Sequence, residues 1–150
     1  MPVRPSHIGL CVRDVEVSLR FYCDGLGFEP AERYELDDTM FEPGDLARAL
    51  EVDAPVQLCS QMIRRGDLNI ELLGFGSPHA VGPAPARRNQ LGFTHLSMIV
   101  DDVDAVAARL VELGGAVLPA TRAVLGYDVM FLADPDGVRI ELMGRRVPRA

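Results

Sequence analysis

Two of the chain's three histidines open the same phrase. His7-Ile-Gly-Leu-Cys-Val-Arg-Asp-Val is matched by His95-Leu-Ser-Met-Ile-Val-Asp-Asp-Val, with the histidine, both valines and the aspartate identical. A second phrase also recurs: Asn69-Ile-Glu-Leu-Leu-Gly and Arg139-Ile-Glu-Leu-Met-Gly. Each half of the chain therefore supplies one imidazole and one carboxylate, at His7 and Glu71, then at His95 and Glu141. Two imidazoles and two carboxylates suit a borderline or hard divalent ion: Zn, Ni, Co, Mn or Fe(II). Two carboxylates nearly cancel the charge of a dication, so metal bonds offset the cost of burying them. A single histidine on a strand is more often structural than a ligand. Recurrence of both residue types in both halves is what favours ligation here.

The repeat also defines the elements that must carry these residues. Apolar alternation marks a first strand at about 6–12 and again at 93–100. A helix follows at 15–24 and 103–113, with Asp14 and Asp102 placed to cap it and Gly27 and Gly114-Gly115 at the exits. Three more strands complete each half, at 28–34, 56–64 and 68–74, then at 116–119, 127–133 and 138–143. Side chains alternate across a strand. Ile8, Leu10 and Val12, and Ile70 and Leu72, are expected to face the helix, with His7 and Glu71 on the other side. The same count places His95 and Glu141 together in the second half. The order predicts an α+β fold of two tandem βαβββ modules, 1–75 and 91–150, joined by a Gly-, Pro- and Ala-rich linker at 76–90. The first half is longer, and the extra residues fall at 36–55, where Asp45 is placed to cap a short helix. The tail from Arg145 is expected to fray.

Composition narrows the function classes. The chain has 150 residues, 48% hydrophobic and 25% charged, which is a globular balance. A net charge of -7 argues against nucleic acid and anionic membranes as partners. No apolar run approaches a membrane span, and the N-terminal residues lack the apolar core of a signal peptide, so a cytoplasmic location is expected. Every basic side chain is arginine, which removes Schiff-base chemistry on lysine. Cys11, Cys23 and Cys59 have no C-x-x-C spacing and are expected to be buried thiols.

These phrases resemble the vicinal oxygen chelate superfamily, which includes glyoxalase I, methylmalonyl-CoA epimerase, extradiol dioxygenases and bleomycin-resistance proteins. The resemblance rests on His7 to Leu10, Tyr22 to Phe28, Asn69 to Leu73, Thr94 to Leu96 and Asp134 to Leu142. It implies paired βαβββ modules forming a curled mixed sheet around a metal cleft. It implies one divalent metal held by His7, Glu71, His95 and Glu141, and a homodimer acting on a small molecule with adjacent oxygens. The implied activity is that of an isomerase or lyase of the glyoxalase I or epimerase type, which abstracts a proton next to a carbonyl. The stretch where epimerases carry a further glutamate base, Val56 to Gln61, contains no carboxylate. Glu71 and Glu141 are then the candidate bases, with Glu141 favoured. The alternatives are an Fe(II)-dependent extradiol-type dioxygenase and a non-catalytic binding or resistance protein.

Overall fold

Asp14 and Asp102 each start a helix. Oδ1 of Asp14 accepts from the amides of Glu16 and Val17 at 2.9 and 3.1 Å, and Oδ1 of Asp102 accepts from the Ala105 amide at 2.9 Å. These bonds satisfy amides that a first helical turn leaves without partners. The computed structural model describes residues 2–147. In chain order its elements are β1 (Ile8–Val12), α1 (Val15–Leu19), β2 (Glu29–Asp37), α2 (Asp45–Leu50), β3 (Gln57–Arg65), β4 (Leu68–Ser77), β5 (Leu96–Ile99), α3 (Val103–Glu112), β6 (Ala116–Val124), β7 (Tyr127–Ala133) and β8 (Arg139–Arg146).

They form two four-stranded mixed sheets with the same topology, β1-β4-β3-β2 and β5-β8-β7-β6. In each, the first strand pairs parallel to the last, and the remaining pairs are antiparallel. The parallel pair brings the start of the first strand beside the start of the last. Ile8 lies opposite Ile70, and Leu96 opposite Ile140. The alternation expected from the sequence holds where it matters. Ile70 and Leu72 are buried, as are Ile140 and Leu142. On β1, burial deepens toward α1, from exposed Ile8 to buried Val12.

The start of the helix packs against the end of the last strand in both halves. A Cβ at Gly74 would stand 2.5 Å from Val15 Cγ2, and one at Gly144 would stand 2.7 Å from Val103 Cγ2. Only glycine leaves room for that approach, which accounts for the recurring glycine after each apolar-Glu-apolar phrase.

The chain divides into two compact units. One comprises the residues up to Leu19 and Gly27–Val81; the other comprises Arg20–Leu26 and the residues from Gly82 onward. The first helix is regular only to Leu19 and continues as a π-helical turn over Arg20–Gly25. That turn carries Phe21 and Tyr22, both fully buried. Phe21 meets Gly115, and Gly25 lies against Leu110. A continuous α-helix over 15–24 was expected. Within the widened turn the two rings meet edge-on, with centroids 5.2 Å apart.

Other expectations are corrected. Asp45 is the first residue of α2 and does not cap it; Gly44 takes the N-cap position with left-handed backbone, and Asp45 pairs with Arg48. Cys11 is exposed, and Cys23 and Cys59 are half-buried. Cys11 lies on the same face of β1 as His7, away from α1, so an apolar run alone did not decide its burial. β6 continues to Val124, past the expected end at 119, because Thr121 bridges an irregularity in the ladder. Its hydroxyl donates to the Leu118 carbonyl at 2.6 Å and accepts from the Phe131 amide at 2.9 Å. Arg145 and Arg146 extend β8, and the Val147 amide donates to the Gly126 carbonyl. The rest of the tail expected to fray, 148–150, lies outside the described residues. No helix among the described residues is long and apolar enough to cross a membrane.

Candidate metal centre

Each unit holds one His–Glu pair. In the first, Nε2 of His7 lies 3.0 Å from Oε2 of Glu71. In the second, Nε2 of His95 lies 3.4 Å from Oε2 of Glu141. Each histidine immediately precedes an edge strand, and each glutamate sits near the start of the neighbour paired parallel to it. The glutamates are the more buried members, with side chains 22% and 16% exposed against 37% and 32% for the histidines.

The second ring nitrogen is held alike in both halves. Nδ1 of His7 is 3.0 Å from the Ser6 hydroxyl, and Nδ1 of His95 is 2.8 Å from the Thr94 hydroxyl. A hydroxyl can donate or accept, so this contact suits either tautomer. With the hydroxyl donating to Nδ1, Nε2–H donates to the carboxylate. With Nδ1–H donating to the hydroxyl, Nε2 presents a lone pair, as a metal requires. The donor set therefore fits a divalent cation: two imidazoles, each with its outer nitrogen held by a hydroxyl and its Nε2 beside a carboxylate.

The two pairs differ in their supports. The Ser60 hydroxyl on β3 donates to Oε1 of Glu71 at 2.5 Å, and Asn69 Nδ2 donates to the Ser6 carbonyl at 2.9 Å. In the second unit the strand register puts Val129, with no hydroxyl, where Ser60 stands in the first. There the His95 ring packs edge-on against Phe131, with centroids 5.2 Å apart. Among the described residues, no group of three or more His, Cys, Asp or Glu side chains is gathered into a cluster that could hold a metal. The four residues expected from the sequence are thus seen as two pairs, one per unit.

Sequence reasoning missed Ser6, Thr94 and Ser60, and also one buried acid. The Tyr22 hydroxyl donates to Oδ2 of Asp134 at 2.8 Å, while Oδ1 of Asp134 accepts from the amides of Asp136 and Val138. Asp134 is 3% exposed, and burial pushes its carboxyl up despite those three bonds. The same burial, followed by the adjoining carboxylate, raises the Tyr22 phenol well above its ordinary value. The sequence carried Asp134 only as the start of the phrase Asp134 to Leu142; the Asp134–Tyr22 pair ties the turn it opens to the π-helical segment of the same unit.

Residues 4–142 match the model of the Glyoxalase/Bleomycin resistance protein/Dioxygenase superfamily. The uncharacterized protein YaeR of Escherichia coli (strain K12) is 32% identical over 139 residues, covering 91% of this chain and 92% of YaeR. The lactoylglutathione lyase of Schizosaccharomyces pombe is 25% identical over 146 residues, and this chain spans only 47% of its length. Among solved structures, a glyoxalase family protein from Bacillus cereus superposes with a TM-score of 0.78 at 18% identity, covering 98% of this chain and 97% of that one. The trypanothione-dependent glyoxalase I of Leishmania major superposes with a TM-score of 0.66 at 18% identity, covering 95% of this chain and 87% of that one. At such identities these structures share the fold.

Proposed function

This chain belongs to the Glyoxalase/Bleomycin resistance protein/Dioxygenase superfamily, and from that premise we propose that it is a divalent-metal-dependent isomerase or lyase acting by proton abstraction beside a carbonyl. His7, Glu71, His95 and Glu141 are the ligands in a homodimeric protein, each pair supplying one imidazole and one carboxylate. The observation that carries this reading is the repeated pair itself. Two Nε2 atoms face carboxylates while both Nδ1 atoms are held by hydroxyls.

A bound dication would polarise two adjacent substrate oxygens and stabilise the negative charge that develops on them. The residues supply the rest. The histidines present Nε2, with ring orientation fixed through Ser6 and Thr94. Glu71, held at Oε1 by Ser60, stays in place as a ligand through Oε2. Among the described residues, the carboxylate of Glu141 meets only His95, at 3.4 Å, so it is the one free to turn and accept the proton from the substrate carbon.

The test loads purified protein with Zn, Ni, Co, Mn or Fe(II) in turn. It then follows solvent deuterium entering hemithioacetals, 2-oxo acids and thioesters. Metal-dependent exchange into one of these classes is expected. Dioxygen uptake with Fe(II) and no exchange would move the chain to the ring-cleaving branch, and tight ligand binding without turnover would move it to the resistance-type binders.

A further inference from the structure

Arg88 and Arg139 stand apart from the chain's other well-placed arginines. Arg33, Arg64 and Arg122 each reach carboxylates. Among the described residues Arg88 and Arg139 meet none. Arg88 donates through Nη1 to the Thr94 carbonyl and through Nη2 to the Pro85 carbonyl, at 2.5 Å for the latter. Arg139 donates through Nη1 to the Gly137 carbonyl at 2.8 Å. In a chain of net charge -7, two half-buried arginines are thus held, among the described residues, by neutral oxygens alone.

They are also held near one another. Ala84 lies against Gly137, 3.7 Å from where a Cβ there would stand, so the coil that carries Arg88 rests on the turn that leads into Arg139. Burial, and then the neighbouring Arg139 charge, lower the Arg88 pKa from its ordinary value. Two like charges brought together without a counter-ion oppose folding. They become favourable when an anion occupies the space between them.

Both arginines flank the second His–Glu pair. Arg139 is two residues before Glu141 on β8, with Ile140 and Leu142 buried on the opposite face, so Arg139 and Glu141 share a face. Arg88 is anchored to the carbonyl of Thr94, the residue whose hydroxyl holds His95. The first unit has no such flank: Asn69 stands at the position matching Arg139 and is engaged with the Ser6 carbonyl. We infer that Arg88 and Arg139 form a docking site for an oxyanion, a carboxylate or phosphate carried by the substrate of the His95–Glu141 pair. The substrate class is then an anionic small molecule whose charged end is bound beside the His95–Glu141 pair and not beside the His7–Glu71 pair. The assignment to substrate rests on the function proposed above; the oxyanion site itself does not need the metal.

The test uses metal-free full-length protein at low ionic strength, titrated calorimetrically with inorganic phosphate and, separately, with malonate. Saturable binding of at least one is expected, and whichever binds more tightly identifies the head group. Arg88→Gln and Arg139→Gln should each weaken it roughly 10–100-fold, the size expected for losing a charge-assisted contact. Arg109→Gln, on the outer face of α3 and paired with Glu112, should bind as wild type. Arg139→Lys guards against a folding defect: it keeps the charge and should retain part of the affinity. Wild-type affinity in both Gln variants, or an equal loss in Arg109→Gln, would overturn the site. Metal uptake is measured separately, on aliquots of the same preparations dialysed against Zn, Ni, Co, Mn or Fe(II). If no variant and no wild-type sample takes up metal, yet phosphate or malonate binding is lost in Arg139→Gln, the oxyanion site stands and the metal-dependent reading fails.

Discussion

The Ser60 hydroxyl donates to Oε1 of Glu71 at 2.5 Å, and Val129 occupies the corresponding place beside Glu141. The two carboxylates of a duplicated site are therefore not equivalent. One is tethered at one oxygen, which leaves the other the less encumbered to coordinate. Partners of this kind typically govern metal affinity by about 10–100-fold. Ser60→Ala is expected to weaken metal binding by an amount in that range, and Ser60→Thr, which restores a hydroxyl on a β-compatible side chain, should recover most of it. Competition with a chromogenic chelator reads both. Unchanged affinity in Ser60→Ala would remove the tether from the account.

Removing a histidine should do more. His7→Ala and His95→Ala each delete a nitrogen ligand, and the double variant deletes both. Elemental analysis after dialysis is expected to show most of the metal gone from each single variant and nearly all from the double. Full occupancy in the double variant would place the metal elsewhere.

The proton-transfer role separates the glutamates. An amide oxygen can coordinate but does not accept a proton at neutral pH. Glu141→Gln is expected to keep part of its metal and lose turnover by about 10²–10⁴-fold, the usual contribution of a general base. Glu71→Gln should be milder in turnover, because the Gln oxygen can still accept from Ser60. Metal content and deuterium exchange on the two variants decide this, and equal small losses would mean that neither is the base.

The buried Asp134–Tyr22 pair gives a prediction about pH. Burial raises the Asp134 carboxyl, so the folded chain holds its proton more tightly than the unfolded chain does. The resulting stability is present below the unfolded aspartate pKa and is lost as pH rises through the folded one. Tyr22 is raised as well, so its share is present below the ordinary phenol pKa and is lost as pH climbs above it. Asp134→Asn keeps an acceptor for the two turn amides but cannot ionise. The difference in Tm between wild type and this variant is expected to shift against wild type as pH rises from the ordinary aspartate range toward neutrality. Tyr22→Phe should remove the alkaline limb at a cost of about 1–3 kcal/mol for the carboxylate oxygen it strands. A Tm difference that does not change with pH would refute the linkage.

What the sequence disclosed was what repetition and alternation encode. Glu71 and Glu141 lie between apolar neighbours whose burial fixes the face each glutamate shares with its histidine, so each pair could be read from a period of two. Asp14 and Asp102 were legible as caps because capping depends on the next three residues only. Ser60 was not legible, since its reach to Glu71 depends on a diagonal across two strands and on the register between them. Nor was the π-helical turn, because nothing in Arg20 to Gly25 announces a change of helical pitch. The Asp45 cap failed by one residue, because Gly44 supplied left-handed backbone and took the position.

The assignment of Arg20–Leu26 to the second unit means that the repeating phrase and the folding unit are out of step. A fragment ending after β4 would carry Phe21 and Tyr22 without the surface that buries them, and the complementary fragment would leave Leu110 and Gly115 uncovered. Each buried aromatic contributes roughly 1.5–3 kcal/mol, a large part of what a module this small can spare. Severed halves should then recover their structure only when mixed, each completing the other.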